Sequence, residues 1–333
     1  MNLNNKKVLF LCQRFFGYED AICKKIKSFG ADVDFFDERP SNSVIGKIII
    51  RLNLPFLCKW FAHRYYKSIL EKIKGVKKYD YFFVVKIESL TEAILTEVKY
   101  RYPNAIFILY LWDSIDNYKH KLGTLKYFDR IFSFDVDDSL KYRQIMFKPL
   151  FFLDHYSDLS KTKKTVEYDL VFVGSGHGDR LFFLKQLVTL NKASNFSYYF
   201  FVYFQSRIHF VIRRLFDPRM RGIKTSDVCF KSLDSIELRS ILEKSRAVID
   251  IEHIKQKGLT IRSIEMLGAK IKLVTTNQAV KNYDFYNSNN ICVIDRKNPV
   301  IPKVFLQSEY SDVPNSIREK YSLDNWVRGI FEI

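Results

Sequence analysis

The sequence predicts an α/β protein with two Rossmann-like domains in tandem, facing a cleft, and three observations predict it. The chain has 333 residues, more than one ordinary hydrophobic core holds. Short apolar runs alternate with longer amphipathic stretches, the pattern of βαβ units around a parallel sheet. That alternation stops at a stretch rich in Ser, Thr and Lys, from His155 to Glu167, and then starts again.

The first half places strands at Lys7 to Cys12, Asp32 to Phe36, Tyr81 to Lys86, Ile106 to Leu111 and Arg130 to Phe134. Each is a run of apolar, mostly β-branched or aromatic residues bounded by polar ones. Helices are expected between them at Tyr18 to Phe29, Val44 to Lys74 (interrupted by Pro55), Leu90 to Tyr100 and Asp137 to Tyr142. The second half predicts strands at Asp169 to Val173, Ser197 to Phe204, Val228 to Phe230, Ala247 to Ile251, Lys270 to Thr275 and Ile291 to Ile294. Its helices are expected at Asp179 to Leu190, Ser235 to Lys244, Thr260 to Leu267 and from Asp324 onward. The domains then run 1–155 and 168–320, with a terminal helix, 321–333, free to cross back to the first domain.

Apolar residues make up 47% of the chain, yet no uninterrupted apolar run approaches the roughly 20 residues that span a bilayer. The polar start, Met1 to Lys7, lacks the pattern of a secretory signal, so a soluble cytoplasmic protein is expected. Its five cysteines, Cys12, Cys23, Cys58, Cys229 and Cys292, are scattered and odd in number, which fits reduced thiols rather than a disulfide framework or zinc site. A net charge of +17 calls for an anionic partner: nucleic acid, an acidic membrane face or a phosphorylated substrate. The many Phe and Tyr sit largely inside strand runs, such as Phe196 to Phe204, where they serve packing better than base stacking, so nucleic acid is not the expected partner.

Open α/β sheets bind ligands beyond the carboxyl ends of their strands. In the second half the first such turn reads VGSGHGDR. There Gly174, Ser175, Gly176 and Gly178 allow close backbone approach, and His177 and Arg180 can meet negative charge at a helix N-terminus. A tight strand-to-helix turn without a ligand would use glycine in the same way. The segment GLTIRSIEMLGAKIKLVTTN adds Thr260 as a helix cap and puts Arg262 and Glu265 on one helical face. On a face turned to a ligand the pair suits a nucleoside diphosphate, guanidinium to phosphate and carboxylate to ribose; on any other face it is a surface salt bridge.

The order of this segment, an Arg-x-x-Glu helix, a Gly-Ala turn and a strand ending Thr275-Thr276-Asn277, resembles the donor-binding region of GT-B glycosyltransferases. With the VGSGHGDR turn it is most similar to the CgeB-like spore-maturation proteins and related lipopolysaccharide and capsule transferases, over Tyr168 to Asn277. The resemblance implies a glycosyltransferase, hexosyltransferase-like, with a nucleotide-sugar co-substrate, no other cofactor and no metal. It implies that Glu265 binds the donor ribose and that Arg262 or Arg180 neutralises the diphosphate. Its acceptor would be a cell-surface glycan or lipid-linked oligosaccharide. Many retaining relatives carry a further glutamate eight residues before this one, where Lys257 stands.

An inverting route needs a base in the first domain. Asp113 in LYLWDSIDN, directly after a strand, is the first candidate and Asp116 the second, with a helix cap or turn as the plain alternative. His177 and His253 read as donor contacts or structural histidines. Asp135, Asp137 and Asp138 look like a helix cap, and no metal site is expected. Other proteins of this architecture, such as a sugar-nucleotide epimerase, fit the same turn, and a non-catalytic basic binding protein fits the charge.

Two basic stretches also carry clustered apolar residues. Lys47 to Lys78 has nine Lys or Arg against Glu71, and Gln205 to Lys224 has six against Asp217. Either an anionic membrane surface, at the inner face for a cytoplasmic protein, or ordinary packing on the domain explains such helices.

Overall fold

The computed structural model describes residues 2–40, 55–161, 165–253 and 257–333. The chain divides into two compact units, Met1–Pro149 with Leu323–Ile333, and Leu150–Ser322. The division falls at Pro149, upstream of the polar stretch where the sequence reading put it at 155. Asp154–Leu159, which overlaps the start of that stretch, is a helix of the second unit.

The first unit holds a six-stranded sheet of β1 (Lys7–Cys12), β2 (Asp32–Asp37), β3 (Tyr81–Val85), β4 (Ile106–Leu111), β5 (Arg130–Ser133) and β6 (Ile145–Phe147). Their order is β2-β1-β3-β4-β5-β6 and every pairing is parallel. The central strands, KVLFLC, YFFVV and IFILYL, are apolar on both faces because both are covered. On one face Leu9, Phe82, Val84, Phe107 and Leu109 meet Tyr66, Ile69, Ile94 and Val98 from helices Pro55–Lys72 and Glu92–Arg101. On the other, Phe83 and Tyr110 lie 6.1 and 4.8 Å from Trp326, so the terminal helix Leu323–Phe331 is part of this unit's core.

The second unit holds β7 (Tyr168–Ser175), β8 (Tyr198–Tyr203), β9 (Ser245–Asp250), β10 (Lys272–Thr275) and β11 (Ile291–Val293). They are ordered β11-β10-β9-β7-β8, again all parallel. Leu170, Phe172, Ala247, Ile249 and Val274 pack there against Leu184 and Leu187 of helix Arg180–Leu190 and Phe210 of helix Arg207–Phe216.

Two expectations change. Val228 to Phe230 forms no strand, only an isolated bridge of Cys229 to Tyr203. The helix expected from Val44 is seen from Pro55 to Lys72, and 44–54 lie outside the described residues. Among the described residues no helix is long and apolar enough to cross a membrane.

Candidate functional site

Each sheet grows in both directions from its first strand, so each has a switch point, between β1 and β3 in one unit and between β7 and β9 in the other. Ligands of open parallel sheets bind at the carboxyl ends beside such points.

In the second unit the turn after β7 is shaped by two glycines. A Cβ on Gly176 would come within 2.0 Å of the Phe204 ring, and Gly178 has φ +60, a conformation side chains disfavour. Arg213, from helix Arg207–Phe216, clamps the turn: it donates to the Gly176 carbonyl and, at 2.7 Å, to that of Gly178. Asp217, 3.0 Å away, holds Arg213 in place. The Asp217 carboxyl is kept well below the usual range by Arg219, with Arg213 adding to it against a burial cost.

Arg180 ties the two strands of the switch point together. It donates to the Ile251 carbonyl after β9 at 3.0 and 2.7 Å, and to the Ser175 carbonyl and hydroxyl at 3.3 Å. Its guanidinium is thus committed to the backbone, and its burial lowers its pKa. His177, exposed on the turn, is pushed below the ordinary histidine value by the partial desolvation of its ring and then by Arg180, Arg213, His209 and His253. Arg180 and Arg213 thus bring cationic side chains to the turn, Arg213 paired there with Asp217.

Beside it runs a network absent from the sequence reading. Arg296, three residues past β11, holds Asp179 through both carboxylate oxygens at 3.0 and 2.7 Å, and holds the Glu252 carboxylate at 3.1 Å. Thr276 donates to the other Glu252 oxygen. Asp179 is drawn to Arg296 and makes no side-chain cap on helix Arg180–Leu190.

Thr260 caps helix Ile261–Ala269 and donates, with Ser263, to the buried Asp250 at 2.7 and 2.8 Å. Arg262 and Glu265 meet, Nη1 to Oε2 at 2.8 Å, with side-chain exposures of 19% and 3%. The buried Tyr156 hydroxyl touches both, and burial followed by the Glu265 charge pushes its pKa far up. The pair is therefore a buried one and not a surface bridge, with Oε2 of Glu265 on Arg262.

At the switch point of the first unit the chemistry is different. Glu38, after β2, is fully buried and accepts from the N–H groups of Glu88, Ser89 and Leu90 at 2.8, 2.6 and 3.0 Å. Burial raises its pKa despite these bonds and one from Gln13. Gln13 also donates to Glu88 at 2.6 Å, as Arg39 does at 3.2 Å. Asp113, beyond β4, lies 2.7 Å from Lys86 Nζ and accepts from the Tyr118 hydroxyl at 3.2 Å, both on Oδ2. Burial opposes the charge on Lys86, but Asp113, Tyr118 and Glu88 together outweigh it and the pKa rises. Lys86 itself has φ +62, backbone strain of about 1–3 kcal/mol that the strand end holds in place. Asp116 points to Lys141 instead, at 2.6 Å, half-exposed. Among the described residues no group of three or more His, Cys, Asp or Glu is arranged to hold a metal ion.

No family profile matches the chain, and no curated protein matches it in sequence. Solved structures do. An α-glucosyltransferase in complex with UDP and a 13-mer DNA is 13% identical, over 98% of this chain and 94% of its own, with a TM-score of 0.60. A glycosyltransferase from Rickettsia africae is 13% identical over 98% and 97%, TM-score 0.58. The lipopolysaccharide outer core galactosyltransferase WaaB is 11% identical over 98% and 99%, TM-score 0.55. The chain has the GT-B fold. That fold is not confined to transferases, since a putative UDP-N-acetylglucosamine 2-epimerase from Listeria monocytogenes matches over 98% and 96% at 10% identity, TM-score 0.54.

Within this GT-B chain the residues singled out by sequence fall in three places. Gly174, Ser175, Gly176, His177 and Arg180 gather at the β7/β9 switch point; Arg262 and Glu265 pair on the helix after β9; Asp113 and Asp116 lie beyond β4 with separate lysine partners. Arg213, Glu252, Arg296, Lys86 and Glu88 were missed. Lys86, Glu88 and Glu252 each lie within three residues of a strand's carboxyl end, a signal that was available. Arg213 reaches Gly176 from 37 residues away, and nothing in the local sequence marks it.

Proposed function

We propose that this chain is a glycosyltransferase, moving a hexosyl group from a nucleotide sugar to a hydroxyl of a cell-surface glycan or lipid-linked oligosaccharide. The observation that carries the reading is the glycine turn at a switch point, held through its carbonyls by Arg180 and Arg213, where an anionic diphosphate is the fitting ligand. Arg180 and Arg213 act by holding carbonyls of the turn; Gly176 gives its N–H to the Tyr203 carbonyl, and the N–H groups of His177 and Gly178 are the ones assigned to the phosphates. Arg262 is assigned to the diphosphate and Glu265, paired with it, to holding it in place; a ribose contact of Glu265 would require that pair to part.

The acceptor is assigned to the first unit. Asp113 takes the acceptor proton on Oδ1 as the hydroxyl oxygen bonds to the anomeric carbon and the bond to the diphosphate breaks; the leaving charge is met by the turn and its cations. Lys86 and Tyr118 orient Asp113 through Oδ2. Asp116 is the second candidate. No cofactor beyond the nucleotide sugar is part of the proposal. The protein is placed in the cytoplasm, peripheral at the inner membrane face.

Thermal-shift measurements with UDP, GDP, CMP and dTDP test the donor half. One of them at 100 times its Kd should stabilise the chain by about 2.7 kcal/mol, and no shift with any would overturn the reading. With that donor in hand, Asp113→Asn should lower turnover at least about 100-fold and leave the nucleotide shift unchanged. A sugar-nucleotide epimerase of the same fold would instead convert the donor with no acceptor present, which product analysis reveals.

A further inference from the structure

Helix Arg207–Phe216 has its apolar side turned the wrong way for a domain helix. Ile208, Val211, Ile212 and Leu215, at spacings of three and four, share one face and are 72, 45, 50 and 72% exposed, and Phe216 beside them is 82% exposed. Phe210, about 200° round the helix from Ile208, is the residue that enters the core, at 1% exposure. Ordinary packing on the domain, the plain alternative for this segment, is therefore not what the stripe does.

The charges sort by face as well. Arg213 is turned inward to the glycine turn and Asp217. Arg207 and Arg214 stay exposed along one side of the stripe, and Arg219, Arg221 and Lys224 follow it, all exposed. The local acid, Asp217, is already engaged by Arg213 and Arg219.

We propose that this helix docks the chain on an anionic lipid bilayer, with the Ile208–Leu215 stripe entering the headgroup and upper acyl region and the flanking arginines among the phosphates. An amphipathic helix with arginines beside a wide aliphatic face is what an interfacial element requires. A second copy of the chain fits worse, because a two-fold contact would set this arginine-flanked patch against itself. Nucleic acid fits worse too, because aliphatic side chains offer bases nothing to stack on. The membrane setting rests on the reading above, but the surface does not, since it uses none of the donor or acceptor residues.

The test is co-sedimentation of the full chain with phosphatidylcholine vesicles, with and without about a third phosphatidylglycerol. The parent should bind the anionic vesicles, more weakly at 1 M salt, where the Debye length falls to about 3 Å. Ile208→Ser with Leu215→Ser and Phe216→Ser, and separately Arg207→Glu with Arg214→Glu, should each weaken binding at least about tenfold. Arg213 is left intact in both, so the glycine turn is not disturbed. Equal sedimentation of parent and both variants overturns the proposal, as does a parent that ignores anionic vesicles. So does a parent dimer in sedimentation velocity that the serine variant converts to monomer without any lipid binding. A nucleotide thermal shift run on the same samples separates the two readings: vesicle binding without any nucleotide shift leaves the docking surface standing and removes the donor assignment.

Discussion

The two sheets repeat one strand order, yet their carboxyl ends carry different chemistry. Beyond β1 to β4 the polar groups are Gln13, Glu38, Glu88 and Asp113, with Arg39 and Lys86 each held by a carboxylate. Beyond β7 to β11 they are His177, Arg180, Arg213 and Arg296, with the carboxylates of Asp179 and Glu252 held by Arg296. Topology fixes where side chains converge, and the residues that follow the strands decide what they attract. A carboxylate-lined end suits hydroxyls that must lose a proton, and a cationic one suits a leaving diphosphate. The comparison thus argues for a division of labour that neither unit shows alone.

The largest expected effect breaks the second unit at its buried pair. Glu265→Gln leaves Arg262 against Tyr156 without its counter-charge, and removing one partner of such a pair costs about 3 kcal/mol, the low end of the usual range because Arg262 is 19% exposed. Urea denaturation should show that loss in the midpoint. Nucleotide affinity of the folded fraction should fall less than about tenfold. A larger fall in affinity with little loss of stability would instead mark Glu265 as a direct ribose ligand.

How much of this was legible depends on distance along the chain. β1 and β4 are read to the residue because KVLFLC and IFILYL are apolar runs with polar ends. β6 was missed because it is three residues long with two of them exposed, too short for any period to show. The Arg262–Glu265 contact was legible from an i, i+3 spacing, but its burial was not, because that depends on Tyr156, more than a hundred residues earlier. Helix Arg207–Phe216 shows the same limit. Periodicity reveals that a helix has an apolar face and says nothing of which way that face looks; only the burial of Phe210 decides it.

A smaller effect sharpens the contrast between charge and geometry at the switch point. Arg180→Lys keeps the positive charge but loses the planar fork that reaches both Ile251 and Ser175. If the turn must be held open for a diphosphate, nucleotide affinity should fall at least about tenfold in a calorimetric titration although the net charge is unchanged. Full retention of affinity would mean that charge near the turn suffices and that Arg180 is no positioning residue.

The smallest effect concerns protons. His177 lies below its ordinary value of 6.5 because of the partial desolvation of its ring and the cations around it. As pH falls through 6.5 the unfolded chain takes up this proton first, so the residue costs stability increasingly on the acid side and nothing above that range. His155 and His120 are also lowered by burial and push the same way, so the parent's acid limb is a sum. A bound diphosphate reverses the sign at His177, since its negative charge favours the imidazolium. Nucleotide binding near pH 6 should then take up a proton fraction beyond what the nucleotide itself absorbs, measured by calorimetry in buffers of different ionisation enthalpy. His177→Gln should lower that excess and leave affinity at pH 8 within about twofold. Equal proton uptake in parent and His177→Gln would remove the diphosphate from the glycine turn, and with it the charge contrast between the two sheets.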